Sequence, residues 1–166
     1  MHDVKEHQIT EEEIKIAEST GELVQRESHL QERVEDFETK MKDMPNQIDI
    51  PVVNYFSEGV YAREITIPKG TMLTGYIHKY RNLNIMSKGD MTILTENGPV
   101  RVQAPYTVVS PPGTKRLAYA HEDCVWTTIH GTNETDVDVI EKQFIVHSFE
   151  EYMNFVNNEK DKLWHG

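Results

Sequence analysis

Between residues 60 and 130 the chain is cut into short β-rich runs, about ten residues apart, by turn chemistry. The runs are Val60 to Ile67, Thr71 to Tyr80, Leu83 to Ser87, Met91 to Thr95, Val100 to Gln103, Tyr106 to Val109, Lys115 to Ala120 and Val125 to His130. Between them stand Pro68-Lys69-Gly70, Lys88-Gly89-Asp90, Asn97-Gly98-Pro99 and Pro111-Pro112-Gly113, whose prolines and glycines end strands and set tight turns. Glu96-Asn97-Gly98 predicts a hairpin, because Asn-Gly tolerates the positive φ of a type I′ turn. Strands this short and this regularly spaced close into a small sandwich or barrel.

The first 50 residues read differently. They hold 14 acidic and 6 basic side chains and only one glycine and one proline, Gly21 and Pro45. Thr10 and Glu13 have capping-box spacing. From Leu23, the residues Leu30, Val34, Phe37, Met41 and Met44 recur at spacings that form an apolar seam, which Pro45 ends. A helix of this length is marginal alone, so the seam must bury itself, either on its own barrel or on another copy of the chain. Ser148 and Glu151 make a second capping box ahead of Phe149, Tyr152, Met153 and Val156, while Asp136 to Phe144 suits helix and strand equally. The expected organisation is a helical arm over 1–46, a β-barrel over 47–146 and a closing helix with its tail over 147–166.

Charge narrows the partners. A net charge of −11 opposes non-specific nucleic-acid binding. No apolar run reaches the roughly 18 residues of a membrane-spanning helix. MHDVKEHQIT lacks the basic-then-apolar order of a secretory signal, so a cytoplasmic location is expected. The single cysteine, Cys124, allows neither an internal disulfide nor a multi-cysteine metal site, and reads as a small core residue.

The run from Gly70 to Gly89, GTMLTGYIHKYRNLNIMSKG, followed by PPGTKR over Pro111 to Arg116, resembles the two motifs of the cupin superfamily. That resemblance implies a double-stranded β-helix, or jelly-roll, barrel with an N-terminal helical arm and a C-terminal helix. It also implies a metal site, with ligand positions falling on Tyr76, His78, Asn82 and Arg116. Only His78 is a ligating type, and a guanidinium has no lone pair to give. A metal-free barrel is therefore expected; the remaining way to hold a divalent ion is a rearranged site on His78 and His130. The blocks NLNIMSKG, SPPGTKR and VWTTIH are also similar to uncharacterised cupin-like proteins of tailed bacteriophages. That similarity implies a host-cytoplasmic or virion location and a phage or host protein as partner.

Strand alternation selects the lumen: Tyr76 with His78, Asn82 with Asn84, Arg116, and His130 in phase with Trp126 and Thr128. Arg116, Asn82, Asn84 and His130 are candidate ligand-binding residues, with Arg116 gripping a carboxylate or phosphate of an anionic small molecule. The orientation of Glu64 is left open by VYAREITI. Two functions follow. One is a non-enzymatic assembly or small-ligand-binding module that forms homo-oligomers through its arm. The other is an isomerase- or lyase-like enzyme, with His78 as general acid or base and Tyr76 donating to an anionic substrate.

Overall fold

The computed structural model describes residues 22–164, with side chains from 29 to 160. The Thr10–Glu13 capping box, the Gly21 break, His2, His7 and His165 lie outside them, and the side chain of Leu23 lies outside those described. Among the described residues no helix is long and apolar enough to cross a membrane.

Helix α1 (Glu22–Lys42) precedes ten strands: β1 (Val52–Ser57), β2 (Val60–Ile67), β3 (Met72–Thr74), β4 (Ile77–His78), β5 (Asn82–Lys88), β6 (Asp90–Thr95), β7 (Gly98–Gln103), β8 (Tyr106–Ser110), β9 (Leu117–Ala120) and β10 (Cys124–His130). Helix α2 (Val137–Phe144), strand β11 (Ile145–Val146) and helix α3 (Phe149–Trp164) close the chain. One antiparallel sheet has the order β1-β2-β10-β5-β8 and the facing sheet the order β3-β9-β6-β7. From β7 to β10 successive strands pass back and forth between the two sheets, as in a jelly roll, while β1-β2 and β6-β7 are hairpins within one sheet and β4 pairs with β11 in a small third sheet. The fold is a mainly β double-stranded β-helix barrel flanked by an N-terminal and a C-terminal helix.

The apolar faces of the sheets meet in a core of Ile67, Met86, Met91, Ile93, Ala120 and Cys124. Cys124 is fully buried and its thiol donates to the carbonyls of Asp90 and Glu122, so it is a packing residue. Gly89 turns β5 into β6 at φ 105°, and any Cβ there would collide with Cys124 Sγ.

Four local features depart from the sequence reading. The run Thr71 to Tyr80 is two strands in different sheets, since β3 pairs with β9 and β4 with β11. The break falls at Gly75, whose N–H donates to the Arg116 carbonyl at 2.9 Å. Strand β1 was not legible, because it is an edge strand exposed on both faces and so shows no alternation. In the β6–β7 hairpin Thr95 pairs with Gly98, and the positive φ of 106° belongs to Gly98. Asn97 does not share it, so the turn is not type I′. The ambiguous segment is helix α2, because the Asp136 carboxylate accepts from the N–H groups of Asp138 and Val139 and caps it.

The seam of α1 is used within the chain. Val34 is buried, the Gln31 side-chain amide donates to the Gly113 carbonyl at 3.0 Å, and Glu38 receives Lys115 and Thr74. Glu35 accepts the Phe149 N–H, tying α1 to the start of α3. There Glu151 N–H donates to Ser148 Oγ at 3.1 Å, as the second capping box requires, while the Glu151 carboxylate reaches back to the His147 N–H.

Candidate functional site

The two sheets enclose a cavity of about 360 Å³, at the small end of ligand-binding cavities. All six residues selected from the sequence line it: Tyr76, His78, Asn82, Asn84, Arg116 and His130. They do not play equal parts. Tyr76 is 46% exposed and stands at the rim, edge-on to His147. Asn82 is 4% exposed, and its Oδ1 is buried without a hydrogen-bond partner, as is Nδ1 of His78. The imidazoles of His78 and His130 stack on each other, and His130 stacks in turn on Phe144.

Asn84 belongs to the wall. Trp126 Nε1 donates to Asn84 Oδ1 at 3.2 Å and Thr128 Oγ1 donates to the same oxygen at 2.8 Å. An indole nitrogen can only donate, so it fixes which end of the amide is oxygen. Asn84 Nδ2 must then donate to Ser110 Oγ, at 2.9 Å. Arg116 Nη1 donates to the same hydroxyl oxygen, and a guanidinium has no other role open to it. With both lone pairs of Ser110 engaged, its own O–H is left to donate, beside a guanidinium, in a buried position. At Ser110 and Arg116 the wall therefore presents hydrogen-bond donors and a positive charge and calls for an acceptor, while Asn82 Oδ1, on Ser110's strand partner, is an acceptor without a donor.

A second arginine faces the same space. Alternation along β2 turns Tyr61, Arg63, Ile65 and Ile67 into the lumen. Glu64 points the other way, accepting from Tyr55 and Thr127. Among the described residues neither Arg63 nor Arg116 has a carboxylate at ion-pairing distance. Of the cavity's two glutamates, Glu38 is held by Lys115 and Thr74, and Glu141 makes no ion pair with either arginine. Burial lowers the Arg116 pKa. Burial also lowers His78 to about 4, helped by His130, Arg63 and Arg116, and burial alone lowers His130 to about 4. Both imidazoles are neutral at pH 7.

Arg63 and Ser110 were not among the residues the sequence pointed to, whereas Thr128 stands in the inward set with Trp126 and His130 that alternation gives. The signal for Arg63 was the phase of Tyr61, Ile65 and Ile67. For Ser110 it was its phase with Tyr106 and Val108 along β8. The divalent ion implied by the motif resemblance does not fit these residues. Two arginines point into the space, the rings of His78 and His130 lie face to face, and no group of three or more His, Cys, Asp or Glu side chains is placed to hold a metal among the described residues.

No protein-family model and no curated protein matches the chain. Solved structures resemble about half of it. A cupin-2 domain-containing protein from Shewanella frigidimarina is 16% identical over 58% of this chain and 92% of its own, with a TM-score of 0.41. An RmlC-like cupin family protein from Methanocaldococcus jannaschii is 19% identical over 54% and 86%, at 0.42. An acetylacetone dioxygenase from Acinetobacter johnsonii is 15% identical over 49% and 59%, also at 0.42. The fold stands on strand order and register; at these scores and identities the neighbours add nothing about activity.

Proposed function

We propose that the barrel binds a small anionic molecule, with Arg116 and Ser110 as the pair of donors that receives the anion and Arg63 as a second cation. One observation carries this reading. Ser110 accepts from both Asn84 and Arg116, so its proton has to be given to something else, and a carboxylate or phosphate oxygen is the group that also answers an unpaired guanidinium.

Binding without turnover is supported by the state of the imidazoles. A base whose conjugate acid has a pKa of about 4 is weak, and at neutral pH it is neutral and carries no acidic imidazolium proton for general-acid work. No carboxylate orients His78, since its Nδ1 is unpartnered. Tyr76 stands at the rim, where water competes for its hydroxyl. Part of the α1 seam is used within the chain, since Val34 is buried and the neighbouring Gln31 donates to the Gly113 carbonyl, whereas Met44 at its end is exposed.

The test is thermal melting in inorganic phosphate and in acetate against chloride of equal ionic strength, so that general screening is held constant. The wild type melts at a higher temperature in one or both anions, and Arg116→Gln shows no such shift. Equal shifts in the two proteins, or none in the wild type, refute the assignment.

A further inference from the structure

The lumen is divided along its length, and the division is written in the strand register. Across the larger sheet, Tyr61 lies opposite His130, and Arg63 opposite Thr128, which lies opposite Asn84. Two residues further along the strands, Ile65 lies opposite Trp126, and Trp126 opposite Met86; two further still, Ile67 lies opposite Cys124. Each inward row therefore runs from polar to apolar in the same direction. The facing sheet repeats the order. Arg116 precedes Ala118, which pairs with Leu73 on one side and Ile93 on the other, and Ala120 pairs with Met91. The polar ends of the two sheets are tied by the bond from Arg116 to Ser110, whose strand partner is Asn82. The apolar ends merge into the core of Ile67, Met86, Met91 and Cys124. The cavity spans both halves, because Arg63 and Arg116 line it together with Ile67, Met91 and Ile93.

We infer that the ligand is a small amphiphile, an organic carboxylate whose head sits between Arg116, Ser110 and Arg63 and whose apolar body of several carbons lies along Ile65, Leu73, Ile93 and Trp126. This rests on the anion-binding reading above and narrows it. Inorganic phosphate or a short polyanion satisfies the donors but leaves the apolar half of the cavity without an occupant. A neutral alkane or alcohol satisfies the apolar half but leaves two arginines and a serine proton unanswered. Only a molecule with both parts matches both halves.

Calorimetry on the full-length protein at pH 7 with phosphate, acetate, butanoate, hexanoate and hexan-1-ol separates these cases. Affinity rises about fourfold per methylene from acetate to hexanoate, as burial of each methylene predicts, and hexan-1-ol binds at least tenfold more weakly than hexanoate. Ala118→Leu, which fills the apolar half, flattens the chain-length dependence and leaves acetate binding within twofold. Arg116→Gln weakens every carboxylate. If acetate and phosphate bind as tightly as hexanoate, the amphiphile is wrong and the anion site stands. If hexan-1-ol matches hexanoate, the head-group assignment is wrong. If no anion binds the wild type, both readings fall.

Discussion

His78 and His130 stack with ring centroids 5.0 Å apart and 24° between their planes. Charging either ring would place a cation against the other, and Arg63 and Arg116 share the same cavity. Burial lowers both imidazole pKa values from 6.5 to about 4, and for His78 the charges of His130, Arg63 and Arg116 add to it; Glu141, also on the wall, and Glu38, engaged by Lys115, make no ion pair that would offset this. Between those values the unfolded chain binds more protons than the folded one, so stability rises with pH across that window. It is complete above about pH 6.5 and is lost as pH falls toward 4. Denaturant midpoints measured from pH 7 to 4.5 should drop more steeply for the wild type than for His78→Asn, which removes one of the two groups. Parallel curves would mean that the imidazoles titrate normally.

Arg116 sets stability against binding. Its guanidinium is part-buried, has no carboxylate partner among the described residues, and donates to one hydroxyl. Replacing a desolvated, unpaired charge with an apolar side chain of similar length removes an unfavourable term. Arg116→Met is expected to raise unfolding free energy by about 1 kcal/mol, within the range seen when buried charges give way to apolar groups, while abolishing the anion-induced shift in melting temperature. A loss of stability larger than that gain would show that Arg116 is structural.

The parts of this site visible in the sequence are those governed by a period of two. Asn82, Asn84 and Met86 are all buried on one face of β5, and Trp126, Thr128 and His130 line the lumen from β10, as alternation requires. Alternation places a side chain in a lumen but says nothing about its partners there. That is why Asn84 reads as a ligand residue in sequence and proves to be held by Trp126, Thr128 and Ser110. Arg63 was obscured because both faces of β2 mix charged and apolar residues, and only the neighbouring ladder decides which is inside. The target of the α1 seam was undecidable from spacing, since Val34 would be apolar in either environment.

Lys115 is 3% exposed at its side chain and meets Glu38, which is 27% exposed, across the contact between α1 and the barrel. Removing the more exposed partner strands the buried ammonium, whereas removing the lysine leaves a carboxylate that water and Thr74 still reach. Glu38→Ala should therefore destabilise by about 2 kcal/mol, a discount on the 3–5 kcal/mol of a fully buried pair, and Lys115→Met by clearly less. Chemical denaturation of the two variants gives the comparison, and the reverse order would place the burden on the glutamate.

The bond from Asn84 to Ser110 offers a way to imitate the ligand. Asn84→Asp keeps an oxygen for Trp126 and Thr128 and replaces the donor facing Ser110 by a second oxygen. The Ser110 proton then has an acceptor within the wall, and Arg116, bonded to the same hydroxyl, gains a nearby counter-charge. Hydrogen bonds to a charged group contribute about 1.5–3 kcal/mol, offset by burying the new carboxylate. The expected result at pH 7 is a protein at least as stable as the wild type that no longer responds to phosphate or hexanoate, with its stability falling as the new carboxylate is protonated at low pH. If instead this variant is destabilised and still binds, the Ser110 proton is not the group that the cavity holds out to its ligand.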